Sequence, residues 1–258
     1  YIALNKNMDI NTYTKKIFQI KTESEFNDLA LELFKYQYES NEIYNRYINL
    51  LDYTINDIKT YSQIPCLPIE LFRTQKIILK NKQHSTIFLS SGTTNTEKSK
   101  HYIVDIAIYK QSIINSFKLF FESPKNFVFF CLTPDFKSNP NSSLSFMCLE
   151  LIKQSQNQLS GFYLKKEKKL ISHIKRCQKE QKQFILFGLS FEILDFAEKN
   201  NVSLKGGVVI HTGGTKKNNR HIIQEDLHTR LQSCFNIDTI YSEYGMAELL
   251  SQSYYKND

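Results

Sequence analysis

The chain reads as an α/β protein with a mostly parallel sheet flanked by helices. Two observations predict this. Short apolar runs recur at Phe127–Leu132, Phe184–Phe187, Val208–Ile210 and Thr239–Tyr241. Segments with helical spacing of apolar residues separate them, which is the pattern of parallel strands joined by right-handed crossovers. A third observation concerns function: several of the runs empty into segments rich in hydroxyls and glycine, at the strand ends where such sheets bind ligands.

The elements follow in order. Thr22-Glu23-Ser24-Glu25 is a capping box, and Phe26, Leu29, Ala30, Leu33, Phe34, Gln37 and Tyr38 then fall at helical spacing. Ile43, Tyr44, Tyr47, Ile48 and Leu51 mark a second helical face. Ile64-Pro65-Cys66-Leu67-Pro68 must be extended, because each proline forces its predecessor out of the helical region. A hairpin is expected from Lys76–Leu79 and Ser85–Leu89. Helices are expected at about 105–121, from Ser142 or Ser143, near 167–182, around Phe191, Leu194 and Ala197 after a break at Gly188, and at about 221–235. This gives one structural domain overall, with a helical lead-in, 1–64, and an α/β nucleotide-binding core, 65–258.

Composition bounds the partners. With 258 residues, 41% hydrophobic and 13% aromatic, the chain has material for a full core. No apolar run approaches the roughly 20 residues of a membrane span, and the start lacks the apolar core of a signal peptide, so a cytoplasmic protein is expected. The net charge of +7 is spread over all the helices without interleaved aromatics, which argues against a nucleic-acid partner and suits a small anionic substrate. Five widely spaced cysteines without a C-x-x-C pair read as reduced, mostly buried thiols.

The stretch His84 to His101 organises the functional reading. Ile87, Phe88 and Leu89 end a strand, and Ser90, Ser91, Gly92, Thr93 and Thr94 offer four hydroxyls and a glycine that can turn backbone N–H groups toward a phosphate. Alone this is a turn. Three further strand ends carry Gly188-Leu189-Ser190, then His211-Thr212-Gly213-Gly214-Thr215-Lys216-Lys217, then Ser242-Glu243-Tyr244-Gly245-Met246-Ala247-Glu248. Together they place hydroxyls, close-approach glycines, an aromatic platform and a carboxylate on one rim, as a magnesium–nucleotide site requires.

These segments resemble the adenylate-forming enzymes, and most closely their acyl-protein synthetase (LuxE-like) branch. The resemblance runs from about Pro65 onward through SSGTT, Asn141–Leu144, Phe187–Phe191, Thr212–Gly214 and SEYGMAELLSQ, the last being the most specific. It implies the large N-terminal domain of such an enzyme and ATP-dependent activation of a small carboxylic or fatty acid to an acyl-adenylate. The acyl group then passes to a thiol of a partner protein. A carboxylate–coenzyme A ligase of the phenylacetate type and a non-catalytic nucleotide-binding module are the alternatives. By the resemblance, Ser90, Ser91, Gly92, Thr93 and Thr94 hold the phosphates of ATP. Gly213 and Gly214 approach the adenine, Tyr244, with Gly245, Met246 and Ala247, lies against the base, and Glu248 takes Mg²⁺. Phe187, Gly188, Ser190 and Phe191 border the acyl pocket. Two residues depart from the pattern: Ala247 stands where threonine is usual, and Asn95 where glycine is usual. The catalytic lysine and the acyl-accepting cysteine are expected in a smaller C-terminal domain beyond Asp258, which makes this chain the adenylate-binding part.

Overall fold

A computed structural model of the chain describes residues 9–91, 97–214, 216, 217 and 220–256. The chain divides into two compact units, Tyr1–Ile108 and Tyr109–Asp258.

The first unit begins with α1 (Ile10–Ile17), α2 (Glu23–Ser40) and α3 (Glu42–Leu50). The capping box forms as expected: Glu25 N–H donates to Thr22 Oγ1 (3.2 Å), and Thr22 N–H to Glu25 Oε2 (3.1 Å). Asn41 ends α2 and starts α3, donating its N–H to Gln37 O (2.8 Å) and accepting at Oδ1 from Tyr44 N–H (3.3 Å). This one residue closes a helical hairpin whose core is Phe34, Tyr44, Ile48 and Ile58. The Tyr44 hydroxyl donates to Pro65 O (2.7 Å) and holds the extended proline segment against the core.

The expected pairing of Lys76–Leu79 with Ser85–Leu89 does not form. After α4 (Leu71–Thr74), β1 (Thr86–Leu89) pairs antiparallel with β2 (Lys100–Ile103), from Thr86↔Ile103 to Leu89↔Lys100. The backbone just after Lys76–Leu79 is engaged elsewhere, since Lys80 N–H donates to Ser40 O at the end of α2 (2.7 Å). β1 is thus a hairpin strand in a two-stranded sheet of its own, not a strand of the parallel sheet.

The second unit carries a six-stranded sheet. α5 (Ile106–Phe120) crosses the boundary between the units, and β3 (Val128–Leu132), α6 (Ser143–Ser155), β4 (Gly161–Phe162), α7 (Glu167–Lys179) and β5 (Phe184–Leu189) follow. Next come α8 (Ser190–Lys199), β6 (Gly207–Thr212), the short pair β7 (Lys216–Lys217) and β8 (Arg220–His221), α9 (Gln224–Phe235), β9 (Ile240–Gly245) and β10 (Gln252–Lys256). The strand order is β10-β9-β6-β5-β3-β4, parallel throughout except for the β9–β10 hairpin. The mostly parallel, helix-flanked α/β fold is therefore present.

Both faces of the sheet are covered, and alternation along the strands divides the core. Val128, Phe130, Phe184, Leu186, Val209 and Ile240 pack with α7, α8 and α9. Their neighbours in sequence point to the opposite face, where the Phe129 ring meets Phe117 of α5 (centroids 5.5 Å apart). Gly188 does not break β5 as expected; it lies within the strand opposite Leu132, where a Cβ would stand 2.7 Å from Leu132 Cβ and 2.8 Å from Leu132 O. Close strand approach, not a turn, accounts for this glycine. All five cysteines are free, with Cys131, Cys148 and Cys177 buried and Cys66 exposed. Among the described residues no helix is long and apolar enough to cross a membrane.

Candidate functional site

β6 and β9 are neighbours in the centre of the sheet, in register at Val209↔Ile240, Ile210↔Tyr241 and His211↔Ser242. Both carry polar residues at their carboxyl ends, where a parallel sheet has its ligand crevice. Because successive residues alternate between faces, those residues form two separate polar clusters.

On the α8/α9 side, His211 Nδ1 lies 3.0 Å from Ser190 Oγ, and His211 Nε2 lies 2.9 Å from Ser242 Oγ and 2.7 Å from His228 Nε2 of α9. Ser190 Oγ donates to Thr212 O (3.0 Å). Gln224 Nε2 donates to Ser242 Oγ (3.0 Å). His211 and His228 are buried, and burial lowers the pKa of both; His211 is brought down to about 4, with the neighbouring His228 adding to the effect. Two neutral imidazoles, one donating to the other, are the consequence.

On the other face the Thr212 hydroxyl donates to Glu243 Oε2. Burial raises the Glu243 pKa to about 7, against the opposing effect of that hydrogen bond. Tyr109 of α5 and Tyr254 of β10, both buried, are close enough to feel the Glu243 charge, and burial pushes both phenols above their ordinary range. Among the described residues, the Tyr254 hydroxyl and Gln252 Oε1 are buried without a hydrogen-bond partner. The cluster thus holds a carboxyl that changes charge near neutral pH among groups that do not.

The motif residues lie past these clusters. β9 continues through Ser242, Glu243, Tyr244 and Gly245, so four of the seven residues of the SEYGMAE segment are strand and only Met246 to Ser251 turn back toward β10. Tyr244 is 66% exposed, Ala247 is buried and Glu248 is half-buried. Gly213, with φ of +88°, makes the turn out of β6 in a conformation that disfavours side chains. In the first unit, Ser90 laces the neck of the β1–β2 hairpin: its N–H donates to Ser99 O (3.1 Å) and its Oγ accepts from Ser99 N–H (3.0 Å). Ser91 is exposed, and Gly92, Thr93, Thr94 and Asn95 lie outside the described residues. Of the four strand ends expected on one rim, three belong to the six-stranded sheet and the fourth ends a hairpin strand.

The residues expected at an acyl pocket are interior ones. Phe187 and Phe191 are buried, with Phe191 in the cluster of Phe184 and Leu186 and Phe187 on the alternate face. The Ser190 hydroxyl is turned to His211, and Gly188 is packed by Leu132. In the first unit a cleft of about 400 Å³ is lined by apolar residues including Leu33, Phe34, Tyr44, Leu67 and Phe72, with Gln37, Asn41 and His101 as its polar groups. Its size is that of a small-molecule pocket.

Reading the sequence missed His228, Tyr109 and the weight of Glu243. One signal was available: two adjacent polar residues, one for each face of a strand, stand at the ends of two otherwise apolar runs, IHT and YSEYG. Among the described residues no group of three or more His, Cys, Asp or Glu could hold a metal ion. Comparison with protein-family models found none that matches the chain, and comparison with curated proteins found no match either.

Proposed function

We propose that this chain is the adenylate-binding part of an AMP-forming ligase that activates a small carboxylic or fatty acid. One observation carries this reading: the Gly213-Gly214 turn and the Tyr244–Glu248 segment issue from adjacent parallel strands at their carboxyl ends. The residue types suit a magnesium nucleotide. Tyr244 presents an exposed ring to a base, Gly213 and Gly214 add no side chain to the turn, and Glu248 supplies a carboxylate. Mg²⁺ is commonly held by one or two carboxylates together with substrate phosphates, so a single glutamate suffices on the protein side.

The substrate carboxylate is ionised at neutral pH and attacks the α-phosphorus directly, breaking the bond to pyrophosphate, so no general base is required. The protein aligns two anions and offsets their charge. Tyr244 orients the nucleotide and Glu248 holds the metal. Ser90, Ser91 and the three residues after them are assigned phosphate contacts by the resemblance alone. The acyl group then passes to a thiol on a partner protein, or to coenzyme A in the phenylacetate-type alternative. Ala247 favours a second reading, a nucleotide-binding module without turnover, since its buried methyl occupies a position where a hydroxyl would serve the α-phosphate.

Calorimetry with ATP and magnesium, together with pyrophosphate exchange driven by a panel of carboxylic acids, tests the proposal. Saturable binding that weakens in Glu248→Gln only when magnesium is present supports the site. Exchange separates ligase from module, and thioester formation with coenzyme A or a partner protein separates the two ligases. Equal nucleotide affinity in the wild type and in a Tyr244→Ala, Glu248→Gln double variant would falsify it.

A further inference from the structure

The cluster on the α8/α9 face has chemistry of its own, independent of the nucleotide reading. Ser242 Oγ stands 2.9 Å from His211 Nε2, the separation of a nucleophile from its base. The base is oriented from behind. Ser190 Oγ donates its proton to Thr212 O (3.0 Å), so toward His211 Nδ1, 3.0 Å away, it acts as acceptor. Nδ1 therefore carries the imidazole proton, and Nε2 presents its lone pair. His211 is 5% exposed, and that burial keeps the ring neutral.

Ser242 is half-buried, not sealed. The Gln224 amide donates to its oxygen (3.0 Å), which leaves the serine proton to point at an imidazole. Gln224 is the first residue of α9, a 12-residue helix whose first turn has no side-chain cap. Uncapped first-turn N–H groups are donors of the kind that stabilise an oxyanion. His228 Nε2, 2.7 Å from His211 Nε2 and 3.4 Å from Ser242 Oγ, donates to the same lone pair and must give way as His211 takes the serine proton.

We propose that Ser242 is an acyl-accepting nucleophile with His211 as its base, taking acyl groups from an activated donor: an ester, a thioester or a mixed anhydride. The Ser242 oxygen bonds to the acyl carbon as its proton moves to His211 Nε2. The bond from that carbon to the leaving oxygen or sulfur then breaks, and the proton passes from Nε2 to the leaving group. Water repeats the sequence and frees the acid, restoring the serine.

The test uses the intact chain without any nucleotide, so its outcome is separate from that of the ligase proposal. The protein is treated with a biotin-tagged alkyl fluorophosphonate, and separately with p-nitrophenyl butyrate. One phosphonyl adduct, mapped to Ser242 by peptide mass and formed about 100-fold faster than in heat-denatured protein, is expected. Ser242→Ala should abolish the adduct and ester cleavage, and His211→Gln should slow both by about 100-fold. Ser242→Cys should still be acylated by the ester, which guards against loss of fold as the explanation. No adduct, an adduct on another residue, a Ser242 adduct no faster than in denatured protein, or an unslowed His211→Gln variant overturns the proposal.

Discussion

Glu243 Oε1 stands 2.5 Å from the place that a Cβ on Gly245 would occupy, on the face of β9 that both residues share. The other oxygen of the carboxyl accepts the Thr212 hydroxyl, so the side chain is not free to step aside. The glycine of the SEYG segment is thus needed first by its own neighbouring glutamate.

Gly245→Ala should therefore destabilise the protein by about 1–3 kcal/mol, the range of small-to-large changes in packed sites. Urea unfolding measures it. The effect should shrink in a Thr212→Val background, where the carboxyl is released. An alanine that is neutral in both backgrounds would show that Glu243 moves without cost.

Stability should depend on pH in opposite senses through the two clusters. Glu243 ionises near 7 in the folded chain against an ordinary value of 4.5, so its neutral form is favoured by folding. That contribution is present below about pH 4.5 and is lost as pH rises through 7, at most about 3 kcal/mol between pH 4 and 8. His211, lowered to about 4 from 6.5, contributes above 6.5 and loses its contribution as pH falls toward 4. Glu243→Gln should flatten the alkaline limb of the stability profile, and His211→Gln the acid limb. Unchanged limbs in unfolding curves from pH 4 to 8 would contradict the assignment.

Gly188→Ala should be among the costliest single-methyl additions, at about 3 kcal/mol. Its Cβ would meet the backbone oxygen of Leu132 at 2.8 Å as well as a side chain, and a strand in mid-sheet has little room to yield. A fall of several degrees in Tm is the expected readout.

Tyr244→Ala should leave thermal stability unchanged, because the ring is 66% exposed. Nucleotide affinity should fall by roughly tenfold or more, since stacking of a base on an aromatic ring is worth about 1–3 kcal/mol. Equal affinity in calorimetry would remove Tyr244 from the proposed site.

By itself the sequence determined the elements whose signals are local. The Thr22 capping box, the extended segment at Pro65 and Pro68, the apolar runs of β3, β5 and β6 and the helices between them all depend on residues within one or two turns of each other. It also supplied the parallel arrangement, because strands this uniformly apolar must be covered on both faces. Tertiary structure alone decided the partners. β1 could be recognised as a strand, but its partner Lys100–Ile103 could not, and the backbone at Lys80 bonds to Ser40 O at the end of α2 instead. The polar clusters were hidden for the same reason. His211 meets Ser242 and His228, and Thr212 meets Glu243, only once the β6–β9 register is set. That register is fixed by which strands pair and how far each side chain is buried, a property of packing between segments some 30 residues apart.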